Sequence, residues 1–307
     1  MEKKTIKLSK TKISIAIGIV IVGIAISVGF NSGNQEPSVI KDPRTVEWRH
    51  VHGVGVDPAD LSILYIATHG DFYQSRNGAP PVKVDKVRAD YMAFNAPPSK
   101  DSPLYASGHP SSGGNTGLIK STDGGVTWQL VSKVLEPPVD FHAMSVSKSD
   151  PSVILGFDSA GRGLFKTEDA GVTWDTLSYP EYVSAIAISP TDSKIIFLGT
   201  GKGIFHSSDG GKNWEQLSQY KGIAIWALSF DDNSILYSST SEFGLTKSSD
   251  FGKNWDGVVK PEILVTSIAT DSVNNLVYVG GYSPDGFQEV YKIFNTGQVQ
   301  LIGTNKI

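Results

Sequence analysis

The chain has 307 residues, a formal net charge of −4, 32 glycines, 16 prolines and no cysteine. The missing cysteine excludes disulfides, thiolate metal ligands and a cysteine nucleophile, and without a basic excess no nucleic-acid footprint is expected. Its 6 Trp and 11 Tyr among frequent Gly suit many short strands joined by tight turns, and the stretch from Trp48 onward is long enough to bury a large core.

At the N-terminus, Lys3, Lys4, Lys7, Lys10 and Lys12 precede an uncharged apolar run from Ile13 to Phe30. As a helix rising about 1.5 Å per residue, that run reaches roughly 27 Å, close to a bilayer's hydrocarbon core. The expectation is a basic cytoplasmic tail over 1–12, a transmembrane signal anchor over 13–30 and a polar linker over 31–44. The lysine asymmetry places the N-terminus inside, so the chain is expected as a single-pass protein of the plasma membrane with residues 45–307 outside. A cleaved signal peptide has the same order of basic, apolar and polar segments, and it gives a secreted product as the alternative. A lipoprotein anchor is excluded by the missing cysteine.

Further along, one pattern recurs four times at intervals of 40 to 46 residues. Its copies place Ser121, Asp123, Gly125 and Trp128; Thr167, Asp169, Gly171 and Trp174; Ser207, Asp209, Gly211 and Trp214; and Ser248, Asp250, Gly252 and Trp255 in equivalent positions. The Asp can accept backbone N–H groups just ahead of it, the Gly supplies a conformation that a Cβ resists, and the hydroxyl closes the turn. The Trp then anchors the following strand, its indole N–H free for a backbone acceptor. A repeat of this period is that of a propeller blade.

The pattern resembles the Asp-box, or BNR repeat, of sialidases, sortilin-type receptors, some endoglucanases and photosystem II assembly-factor proteins, all of them β-propellers. The resemblance implies that the box sits in a hairpin near each blade's outer edge, remote from the central site, so it reports fold and not activity. The strings HVHGVG, DYMAF, YASGHP, GLIKSTDGGVTW and DFHAM also resemble, in order and spacing, a microbial branch labelled sialidase-like or glycosyl hydrolase. That likeness covers most of the chain after Trp48.

Six units follow, with inner strands of alternating apolar residues beginning near His50, Asp90, Asp140, Val183, Ala224 and Val265. The expected fold is an all-β propeller of six four-stranded blades over 45–307. Seven blades is the alternative, with Thr45 to Arg49 completing the last one. The first and last units lack the box; the first has only Ser75 to Gly78 and the last the plain turn Asn295 to Gly297.

In propellers the loop entering the inner strand and the turn after the second strand share one face, around the mouth of the channel. His50, His52 and His142 start inner strands, while His69 and His109 follow second strands, so five of the 6 histidines are expected there. Aligning the inner strands puts His52, Asp90, His142, Ser184, Trp226 and Thr266 at one level. The five histidines with Asp90 are candidate ligands for Zn, Cu or Fe in a site without sulfur. The alternative is that these rings bond neighbouring turns or contact a substrate.

Sialidase chemistry, by the family resemblance, needs three clustered arginines, a Tyr–Glu nucleophile pair and an Asp acid/base. This chain has only Arg44, Arg49, Arg76, Arg88 and Arg162, and lacks the Arg-Ile-Pro segment that opens sialidase propellers. A true sialidase is not expected. Other glycosidases need two facing carboxylates; the mouth offers Asp71, Asp90, Asp140, Asp158, Glu181 and Glu242, although any one taken singly is more often a solvated turn carboxylate. The favoured reading is a membrane-anchored extracytoplasmic binding or assembly module with a glycan or protein partner at its mouth. The alternative is a cell-surface glycoside hydrolase.

Overall fold

In the computed structural model, residues 44–258 and 261–306 are described. The expected basic tail, the anchor over 13–30 and all but the end of the 31–44 linker lie outside the described residues. Among the described residues no helix is long and apolar enough to cross a membrane.

The strands form six sheets of four, each ordered as in the sequence and antiparallel throughout. Blade one comprises β1 (Val51–Val56), β2 (Ile63–Thr68), β3 (Phe72–Arg76) and β4 (Val82–Lys83); blade two comprises β5 (Ala89–Asn95), β6 (Leu104–Pro110), β7 (Leu118–Ser121) and β8 (Gln129–Ser132). Blade three is β9 (Phe141–Val146) to β12 (Asp175–Leu177), with β10 (Ile154–Asp158) and β11 (Leu164–Thr167) between; blade four is β13 (Val183–Ile188), β14 (Ile196–Thr200), β15 (Gly203–Ser207) and β16 (Glu215–Gln216). Blade five is β17 (Ile225–Phe230), β18 (Leu236–Thr240), β19 (Gly244–Ser248) and β20 (Asp256–Gly257), and blade six is β21 (Leu264–Asp271), β22 (Leu276–Tyr282), β23 (Gln288–Phe294) and β24 (Val299–Thr304).

Burial grades outward along each blade. The second strands β2, β10, β14 and β18 are buried at every residue, because a neighbouring blade covers each face, whereas the outer strands β4 and β20 are short and exposed. Apolar clusters therefore lie between blades: Phe72 of blade one packs edge-on against Tyr91 and Phe94 of blade two at 5.4 and 5.2 Å. Each such side chain removed from water stabilises by about 1.5–3 kcal/mol.

The repeated turns are built alike. In blade three, Thr167 Oγ1 donates to Asp169 Oδ1 at 2.7 Å and accepts the N–H of Gly171 at 3.0 Å, while Asp169 accepts the N–H of Val172 at 3.0 Å and of Thr173 at 2.8 Å. Gly171 has φ +96°, and a Cβ there would lie 2.7 Å from Leu118 in the preceding blade. The indoles of Trp128, Trp174 and Trp255 donate to the carbonyl three residues back at 3.2, 3.1 and 3.0 Å. Trp214 differs, reaching back to Ser178 O of blade three at 3.0 Å.

Residues 44–46 add to the outer edge of blade six: Thr45 pairs in parallel with Thr304, and Val46 N–H donates to Thr304 O at 2.7 Å. They extend the sixth sheet and make no seventh. The seam continues through Gln288, whose Oε1 accepts Val51 N–H at 2.9 Å and whose carbonyl accepts the Trp48 indole at 3.2 Å. At the face opposite the mouth, Lys148 of blade three pairs with Asp232 of blade five, spanning the turn of blade four.

Candidate functional site

A bulge near the start of each inner strand sets which side chains face the channel. In five blades the unpaired residue is His52, His142, Ser184, Trp226 or Thr266. In blade two the irregularity falls between Met92 and Asn95, and Ala93 takes φ +45°. A cavity of about 110 Å³ lined by His52, Ala93, His142, Ser184, Trp226 and Thr266 marks the resulting level. Ala93, not Asp90, is thus the blade-two member. Gly108 allows this, since a Cβ on it would come within 2.3 Å of Asp90 O; the two strands close up there and Asp90 pairs with His109.

Asp90 instead sits nearer the rim, where its Oδ2 meets His69 Nδ1 at 3.1 Å. The imidazoles of His50, His52 and His69 form a triangle, with ring centres 5.9 to 6.1 Å apart. His52 is pushed down to about 3, chiefly by burial and further by the neighbouring His50, His69 and His142, against the opposing charge of Asp140. It is neutral at physiological pH, and its Nε2 is buried with no hydrogen-bond partner among the described residues.

The second grouping joins blades two and three. Asp140 Oδ2 lies 2.8 Å from His142 Nε2, 3.4 Å from His109 Nε2 and 2.7 Å from Ser159 Oγ. Burial pushes the Asp140 carboxyl up, but the hydrogen bonds from His142 and Ser159 and the charges of His142 and His109 outweigh it and hold the group below the usual carboxylate range. Behind it, Asp158 accepts the Asp140 N–H at 3.0 Å and the Arg162 guanidinium at 2.9 and 2.8 Å. Burial raises Asp158 as well, and the Arg162 bonds overcome it.

The remaining candidates are dispersed. Asp71 is held by Lys83 and Arg88, Glu181 pairs with Lys202, and Glu242 stands exposed on the turn between β18 and β19. Arg162 is committed to Asp158 and to the carbonyls of Pro137 and Pro138, and Arg88 to Asp71 and Gly70 O, so these two do not join in a carboxylate clamp. All five mouth histidines lie in blades one to three, as two groupings; Asp140, read from sequence as an acid/base candidate, is the carboxylate that two of them share.

Loops at the mouth end of blades four and five carry exposed aromatic residues that the motif reading missed, apart from Trp226, which lines the cavity. Tyr182 and Trp226 are 50% and 42% exposed, and Phe243 is 49% exposed beside Tyr220. Tyr179 and Tyr182 flank Phe157 at 5.1 and 5.0 Å, and their hydroxyls donate to Gly161 O and Ser159 O at 3.2 and 3.1 Å. The Trp226 indole donates to Ser241 Oγ at 3.0 Å. Their positions in the loop entering β13 and the turn after β18, equivalent to those that carry the histidines, were the available signal.

The family model described as Sortilin-Vps10, "Sortilin, neurotensin receptor 3", matches residues 116–282, more than half of the chain. The chain belongs to the Sortilin-Vps10 family. The Sortilin-Vps10 match includes all four repeated turns together with Asp140 and His142, and leaves His50, His52, His69, Asp90 and His109 on its N-terminal side. No curated protein matches the sequence. Among solved structures, the GH74 xyloglucanase of Xanthomonas campestris is 17% identical with a TM-score of 0.56, covering 82% of this chain and 45% of its own. A GH74 enzyme of Niastella koreensis is 16% identical with a TM-score of 0.61 over the same shares, 82% and 45%. A gluconolactonase of Xanthomonas campestris is 13% identical with a TM-score of 0.61, covering 84% of this chain and 87% of its own. The chain spans less than half the length of the two GH74 enzymes, and at these identities the likeness is one of fold alone.

Proposed function

We propose that this Sortilin-Vps10 chain is a binding or assembly module that docks a protein or glycan partner on the propeller mouth. In this reading residues 1–12 are a cytoplasmic tail, 13–30 an anchor in the plasma membrane, 31–44 a linker and 45–307 the propeller outside the cell. The observation that carries it is the chemistry of the mouth: Tyr182, Trp226 and Phe243 are left open to solvent, while Asp158 and Arg162 are spent on each other and on neighbouring carbonyls. The rings of Tyr182 and Trp226, exposed and fixed by hydrogen bonds at their polar ends, are suited to stacking on a sugar or a peptide side chain at small entropic cost, and Phe243 adds apolar area. The histidine half adds a place where Zn, Cu or Fe would contribute to recognition.

Membership of the Sortilin-Vps10 family supports docking over catalysis. A glycosidase needs a carboxyl held high enough to donate a proton near neutral pH, and Asp158 is held low by the Arg162 guanidinium. The test is a panel of glycans and peptides presented to the purified full chain, compared with Tyr182→Ala and Trp226→Ala. Saturable binding to one class, weakened about tenfold by either substitution, is expected, with silence on chromogenic glycosides. Turnover of a glycoside that stops with Asp140→Asn overturns the reading in favour of a hydrolase.

A further inference from the structure

Among the described residues, His109, Asp140 and His142 form the one group of three potential ligand residues whose donor atoms all lie within 4.8 Å of one another. Proton arithmetic makes that group unusual. His109 Nδ1 lies 3.0 Å from Gly114 O; a carbonyl only accepts, so this nitrogen carries the hydrogen. In the neutral ring Nε2 then presents a lone pair to Asp140 Oδ2, an acceptor, 3.4 Å away. Asp140 Oδ1, meanwhile, is buried with no hydrogen-bond partner among the described residues. Two acceptors aimed at each other, beside an unpaired carboxylate oxygen, need a cation between them: a proton on His109 Nε2, or a metal ion that also engages His142.

The surroundings match what a metal-binding histidine requires. A ligating imidazole usually gives its other N–H to a backbone carbonyl or a carboxylate, which fixes its tautomer and aims the free nitrogen, and Gly114 O does this for His109. Ser159 Oγ steadies the carboxylate at 2.7 Å. Two imidazoles and one carboxylate favour a first-row transition ion over calcium or magnesium, which prefer sets made wholly of oxygen. His109 and His142 are 36% and 43% exposed, so one side of the group faces the mouth.

We propose that His109 Nε2, His142 Nε2 and Asp140 hold one divalent transition ion that ties the end of β6 in blade two to the start of β9 in blade three, with a coordination position open to the mouth. On binding, His142 gives up its Nε2–H bond to Asp140, the proton passing to Nδ1 or to solvent. The open position rests on the docking reading, since it lets a bound partner supply a donor atom. His50, His52, His69 and Asp90 lie outside this ligand set, His69 Nδ1 being engaged by Asp90.

The test is calorimetric titration of the chelator-stripped full chain with Zn²⁺, with Ca²⁺ and Mg²⁺ in parallel. One Zn²⁺ per chain is expected, at an affinity at least about 100-fold above that for Ca²⁺. His109→Ala and His142→Ala should each weaken it about tenfold or more, while His50→Ala and His69→Ala, on the separate triangle, should leave it nearly unchanged. Absence of one-to-one binding, equal binding of Ca²⁺, or affinity that survives His109→Ala and His142→Ala overturns the proposal. Should a variant fail to fold by circular dichroism, electron paramagnetic resonance of the wild-type chain with one equivalent of Cu²⁺ decides: nitrogen couplings from two imidazoles support the centre, and fewer overturn it. Zn²⁺ binding without capture of any glycan or peptide would sink the docking reading alone, and the reverse would sink the centre alone.

Discussion

Thr167 shows what the repeated hydroxyl does. Its Oγ1 is at once a donor to Asp169 and an acceptor for Gly171 N–H, and the residue is buried at 1% exposure. Thr167→Ala strands that N–H away from water and is expected to cost about 1–3 kcal/mol, read as a lower midpoint in urea at unchanged slope. The partner carboxylate carries a pH signature. Asp169 is lowered to about 2 by the hydroxyl of Thr173 first, then by the Thr173 N–H and the Thr167 hydroxyl. An unfolded Asp titrates near about 3.9, so the folded state's advantage is full above that value and is lost as pH falls through about 2. Acid titration should show the stability gap between wild type and Asp169→Asn closing over this window; a constant gap from neutral pH to the acid limit would mean that these bonds do not hold the charged form.

At the scale of the element, the legibility of the chain follows the division between local and distant causes. Second strands such as β2 and β14 read clearly because burial on both faces demands an unbroken apolar run, and the repeated turns read clearly because the bonds among hydroxyl, Asp and Gly are local, the Trp214 indole alone reaching a distant carbonyl. The blade-two bulge did not read. Its position depends on Gly108 letting β6 close on Asp90 O, a contact between residues far apart in sequence, and a shift at Ala93 moves Asp90 from the level assigned by alignment. Asp140 was visible as a mouth carboxylate, but its sharing by His109 and His142 depends on how blades two and three pack. The seam between blades one and six was likewise half visible: Thr45 pointed to closure, while Gln288 carried no sequence signal. Gln288→Ala removes the acceptor of the buried Val51 N–H and should cost about 1–3 kcal/mol, seen in thermal melting; an unchanged midpoint would mean that the edge pairing at Thr304 alone holds the seam.

For the whole molecule, the ring gathers unlike chemistries onto one face. Imidazoles from blades one to three and exposed aromatic residues from the loop into blade four and from blade five stand at one end of the strands, whereas the repeated turns lie between third and fourth strands, at the other. Family membership and repeat count therefore describe the frame, and the functional reading has to come from the side chains that the frame collects.

The seam has one more consequence. Thr45 Oγ1 donates to Lys306 O at 3.2 Å, so the first and last described stretches are neighbours, and covalent continuity at that place is a matter of where synthesis starts. A circular permutant that splices 306 to 44 through a short linker and opens between Lys100 and Asp101, both exposed, should reach the same circular dichroism spectrum and unfold cooperatively. Collapse of that permutant would show that the order of synthesis, and not only the closed set of contacts, is needed to assemble the ring.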